Sequence, residues 1–156
     1  MVAWRQPRDH CRYLAQTTPF VMLEIKTIAD LDKLREQECA VVFIWVDWAI
    51  HARHSASTAE RMITDWNSEH PGANIDLSQI DLSEQSGNMW EAVHIWLESQ
   101  SVPDIGPLMF GGVGSIMWVR LGTIVQYVIN ANSETVNGMV ALMSQCFSGQ
   151  EIDNAK

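Results

Sequence analysis

Residues 40–46 read AVVFIWV, an unbroken apolar run of β-branched and aromatic side chains closed by alanine and valine. A strand with one wet face alternates polar and apolar residues. A continuous run of this length instead implies burial on both faces, the condition of a central parallel strand. A chain carrying such a strand must supply apolar helix faces to cover it twice over, which directs attention to the helical periodicities on either side.

Those periodicities are present. From Ser55 to about Glu69, the positions Ala56, Ala59, Met62, Ile63 and Trp66 share one helical face, and Pro71 and Gly72 end the run. Met89, Trp90, Val93, Trp96 and Leu97 form a second stripe, with Glu91 and Glu98 off it. A third comprises Val136, Met139, Val140, Met143 and Phe147, in a helix expected to open at Ser133 and Glu134. A shorter helical turn, capped by Asp30, is expected to run to about Glu38.

Strand patterns fill the gaps. Residues 24–28 alternate, and residues 74–82 alternate with one phase slip at Ile75, Leu77, Ile80 and Leu82. Residues 115–121 and 123–129 read as an antiparallel hairpin around Leu121-Gly122. Residues 101–114, rich in Gly and Pro, read as irregular. The predicted order is strand, helix, strand, helix, strand, helix, hairpin, helix, an α/β chain with a central mixed β-sheet flanked by helices.

A chain of 156 residues, 47% hydrophobic and 19% charged, suits one folded domain. Residues 1–22 lack periodicity and are expected to form an N-terminal extension, followed by a domain over 23–148 and a short tail over 149–156. The formal charge is −9; Arg5, Arg8 and Arg12 against Asp9 give the first twelve residues +2, which leaves −11 on the rest. An acidic body of this kind excludes nucleic acid and anionic membrane surfaces as expected partners. No secretory h-region is visible and Arg120 interrupts the most apolar later stretch, so a cytoplasmic location is the expectation. The cysteines, Cys11, Cys39 and Cys146, are odd in number and far apart, which fits no disulfide framework or zinc spacing.

At the end of the apolar strand the chain reads FIWVDWAIHAR, which resembles the DFWAxWCxxCK segment of the thioredoxin family. IDLSE, after the third strand, resembles that family's VDVDE, and IMWVRLGTIV resembles its hairpin LLLFKNGEVV. The resemblance covers roughly residues 24–147 and implies a thioredoxin-like fold. It places Ala49 and Ala52 where the family has its two redox cysteines, with Trp48 and Arg53 keeping the flanking aromatic and cation. Thiol–disulfide exchange needs a thiolate at the first position and a resolving thiol at the second, and alanine supplies neither. The resemblance also sets Phe43 at the place of the family's buried acid, Leu77 at that of its buried lysine, and Gly114 at that of its cis-proline. Pro103 or Pro107 can take this last place in a different register.

The resemblance therefore implies a redox-inactive member with no catalytic residue, cofactor or metal, acting as a binding or assembly module for a protein partner or through self-association. The family's use of the corresponding face points to Trp48, Ile50 and His51 together with Gly112, Val113 and Gly114 as the binding surface. The rival readings are an enzyme with a rebuilt cleft, using His51 with Asp47 or the lone thiol of Cys11, and a structural subunit of a homo-oligomer. His51, His54 and Asp47 offer metal-ligand atoms but are read as solvated residues on a turn. GGVGS at 111–115 precedes a strand and lacks the lysine of a phosphate-binding loop, so it reads as a connection. Cys39 and Cys146 read as packed thiols.

Overall fold

The computed structural model describes residues 22–84, 86–110 and 114–147. The expected tail, all of the expected extension except Met22, and the site positions Gly112 and Val113 lie outside the described residues. Five strands form one sheet: β1 (Leu23–Ile25), β2 (Ala40–Trp45), β3 (Leu77–Asp81), β4 (Ser115–Arg120) and β5 (Thr123–Val128), in the order β1-β3-β2-β4-β5. β3 runs parallel to both β1 and β2, while β4 is antiparallel to β2 and to β5. The sheet is mixed, as expected.

Among the described residues the α-helices are α1 (Ile28–Glu36), α2 (Ile50–Glu69), α3 (Asn88–Ser99), α4 (Ile105–Phe110) and α5 (Val136–Phe147). β2 alternates between two cores. Ala40, Val42 and Ile44 pack with Leu31 and Leu34 of α1 and Val93, Trp96 and Leu97 of α3. Val41 and Phe43 pack on the opposite side with Met62, Ile63 and Trp66 of α2 and Met139 and Met143 of α5. The two-sided burial implied by AVVFIWV is thus realised by helices on both faces of the sheet.

Several boundaries differ from the sequence expectations, each for a local reason. α1 starts earlier than Asp30: Thr27 is the N-cap, its hydroxyl accepting from Asp30 N–H at 3.1 Å while the Asp30 carboxylate accepts from Thr27 N–H at 3.0 Å. This reciprocal capping box makes Asp30 the third helical residue instead of the cap, and shortens the preceding strand to three residues. β3 begins only at Leu77 because the Asn67 side chain holds Ile75 through both of its backbone polar groups, at 2.9 and 3.0 Å, which explains the phase slip.

α2 begins at Ile50, well before the predicted Ser55, and Ala49 caps it with no side-chain hydrogen bond. α4 occupies part of the stretch expected to be irregular. Pro107 is accommodated because it falls in the first turn, where its missing N–H costs no intrahelical bond. α5 starts at Val136, since residues 131–133 form a separate 3-10 turn and Thr135 Oγ1 accepts from Gly138 N–H at 3.0 Å. Among the described residues, no helix is long and apolar enough to cross a membrane.

Candidate functional site

The carboxyl end of β2 delivers the chain to Asp47 and the start of α2. Leu82 N–H donates to Trp45 O at 2.9 Å, and Asp47 N–H donates to Ser83 Oγ at 2.8 Å. Ser83 is itself fixed, because its backbone N–H and its hydroxyl both reach Asp81 Oδ1. The turn that carries Trp48 is therefore anchored to the end of β3 by a serine that the sequence reading passed over. The Asp-x-Ser spacing inside IDLSE, an Asx-turn signal, is the feature that could have found it.

From this anchored turn the side chains divide sharply. Ala49 and Ala52 point inward, 9% and 0% exposed, and join the core shared by Val46, Leu108 and Met109. Trp48 and Ile50 point outward, 54% and 66% exposed. His51 and His54 are exposed on the first two turns of α2, so they are helical residues and not part of a turn as expected. Arg53 is exposed on the same segment. Among the described residues, no three His, Cys, Asp or Glu side chains gather closely enough to hold a metal ion.

Gly114 immediately precedes β4 and has φ +77°, a left-handed conformation that favours glycine. A Cβ added to it would overlap Ser55 Cβ, and would lie 2.7 Å from Ser55 Oγ and 3.0 Å from Phe43. Its carbonyl is already engaged, accepting from Ala131 N–H at 3.0 Å. All peptide bonds among the described residues are trans, and Pro107 lies inside α4, so Gly114 is the residue in front of the hairpin strand. Ser55, fully buried, is the partner that sequence reasoning missed at this point.

Of the cysteines within the described residues, Cys39 immediately precedes β2 while Ala49 lies beyond its other end, so the full length of the strand, roughly 20 Å at ordinary strand rise, separates them. Cys146 lies near the end of α5, and burial pushes its thiol pKa up, with the Arg120 cation opposing that shift. A raised pKa leaves less reactive thiolate at neutral pH.

The sheet order and the two helix layers have clear counterparts among solved structures. Oxidised thioredoxin from Plasmodium falciparum superposes with a TM-score of 0.53 at 11% sequence identity, over 80% of this chain and 97% of that one.

The fold is thioredoxin-like.

Thioredoxin from Malassezia sympodialis gives 0.54 at 12% identity, over 81% of this chain and 91% of its own. A mutant thioredoxin from Halobacterium salinarum gives 0.52 at 14% identity, over 80% and 88%. No family model matches the sequence, and no curated protein matches it. Identities this low establish the shared thioredoxin fold and leave function to be argued from the site.

Proposed function

We propose that this chain is a non-catalytic thioredoxin-fold module that binds a protein partner through Trp48, Ile50 and His51 together with residues 112–114, and that it performs no dithiol redox chemistry. One observation carries the reading: at the helix N-terminus where the resemblance places two redox thiols, Ala49 and Ala52 are folded into the core while Trp48 and Ile50 beside them are exposed. A nucleophilic sulfur at a helix N-terminus is the requirement of the redox reaction, and a buried methyl group cannot replace it. Phe43 and Leu77 agree with this, since both are fully buried among apolar side chains. An acid or a lysine there would serve thiols that the segment does not carry.

An exposed tryptophan next to an exposed isoleucine on an anchored turn is suited to recognition, because it offers a large apolar area with little conformational entropy to lose. The test has two parts. In insulin reduction by dithiothreitol, the chain is expected to add no rate above the reagent blank, and clear catalysis would overturn the reading. In affinity capture from the source cell, Trp48→Ala is expected to lose a protein that the parent chain retains. An unchanged set of captured proteins would count against the surface, and a shift in elution volume on a sizing column would identify a second copy as the partner.

A further inference from the structure

A cleft of about 530 Å³ opens at the carboxyl ends of β1, β3 and β2, lined by Asp47 but not by the exposed Trp48. Its volume falls in the range of ligand-holding clefts, and carboxyl ends of parallel strands are where α/β sheets form their crevices. Among the described residues its charged lining is Glu24, Asp47, Asp81 and Glu84 against a single cation, Lys26, whose ammonium is already paired with Glu24 at 2.5 Å. The half-buried indole of Trp90, from the first turn of α3, supplies an aromatic wall. Carboxylates beside an aromatic surface are the complement of a guanidinium group, which pairs with the first and stacks on the second.

The same chain carries guanidinium groups within reach. Residues 1–21 lie outside the described residues and hold Arg5, Arg8 and Arg12 with one acid, Asp9, a formal +2 opposite a −11 body. They join the fold at Met22, next to β1, and the end of β1 lines the cleft. From Met22 back to Arg12 the chain spans up to roughly 33 Å when extended, against roughly 10 Å for the length of β1. We propose that residues 1–21 dock intramolecularly in this cleft, with Arg8 and Arg12 against Asp47, Asp81 and Glu84 and one guanidinium over Trp90.

The test uses the full chain labelled with nitrogen-15. Arg8→Glu/Arg12→Glu is expected to shift the amide signals of Asp47 and Ser86–Trp90 while leaving those of α5 in place; an unchanged spectrum in these segments would overturn the proposal. A nitroxide on Cys11, with Cys39→Ala and Cys146→Ala, is expected to erase the Ser86–Trp90 signals. The loss should be reversed by the two arginine substitutions, by Asp47→Asn/Glu84→Gln, and by about 1 M salt, where screening acts over roughly 3 Å. Losses centred elsewhere, or no localised loss, would overturn it. So would loss of these signals in a mixture of nitroxide-bearing nitrogen-14 chain with unmodified nitrogen-15 chain, which would mean that the arm reaches a neighbouring copy instead.

Discussion

Gly114 lies against Ser55 so closely that any side chain on the glycine would share the space of the serine Cβ. The contact locks Gly114, at the entrance to β4, onto the second turn of α2. Gly114→Ala must both adopt a left-handed φ and displace a buried helix residue. The expected loss is about 2–4 kcal/mol from these two costs, measured by urea denaturation. Gly114→Pro should be worse, because proline cannot take a φ of +77°.

Trp48 is expected to behave in the opposite way. At 54% exposure it contributes little to the fold, so Trp48→Ala should change stability by no more than about 0.5 kcal/mol while removing the captured partner. A melting curve run beside the capture experiment separates the two effects, and a large drop in melting temperature would show that the side chain is structural.

Phe43→Asp tests the buried position that the resemblance equates with an acid. The phenyl ring is fully buried between Trp45 and the α2/α5 core, so a carboxylate there loses the packing of the ring and gains no partner. Destabilisation of more than about 3 kcal/mol at neutral pH is expected, and it should lessen as the pH falls and the acid is neutralised.

The capping box at Thr27 and Asp30 gives a pH dependence of the other sign. Hydrogen bonds from Thr27 and Lys26 hold the Asp30 carboxyl below its ordinary pKa. Its contribution is complete above the unfolded-state value near pH 4 and is lost as the pH falls through the lowered folded value. Thr27→Ala should cost about 1 kcal/mol at pH 7. Asp30→Asn should flatten the acid limb of the stability profile measured by chemical denaturation.

Leu121 and Gly122 both have positive φ, 46° and 79°, the signature of a type I′ hairpin turn. Leucine is poorly suited to the first position, and here it is 69% exposed, so it gains little from packing. Leu121→Asn is expected to stabilise the chain by about 0.5–1 kcal/mol, read as a shift in the urea midpoint at constant slope.

What could be read from the sequence follows from where information is local. The AVVFIWV strand and the stripes of α2, α3 and α5 were legible because burial writes itself into residue spacing. α4 was not, because Gly106 and Pro107 are loop-marking residues that happen to sit in a first turn. The early start of α2 was hidden because Ala49 offers no capping side chain, so no start signal precedes Ile50. At the candidate site, WAIHAR aligns Ala49 and Ala52 with the redox positions of the resemblance, whereas which of its side chains turn into the core depends on the fold around them. The fit of Gly114 to Ser55 and the anchoring of Asp47 by Ser83 join distant parts of the chain, and no local pattern encodes them.

The outer strand β5 bears no charge and no proline, the composition that usually invites another chain to pair with it. Yet Ile124 N–H donates to Gln100 Oε1 at 3.2 Å, and at the turn before it Gly122 O accepts from Trp96 Nε1 at 3.1 Å. The end of α3 thus claims hydrogen bonds that a strand from elsewhere would need. Cutting back Gln100 is expected to free Ile124 N–H for pairing with a strand from elsewhere, and so to expose the sheet's edge without touching the surface around Trp48.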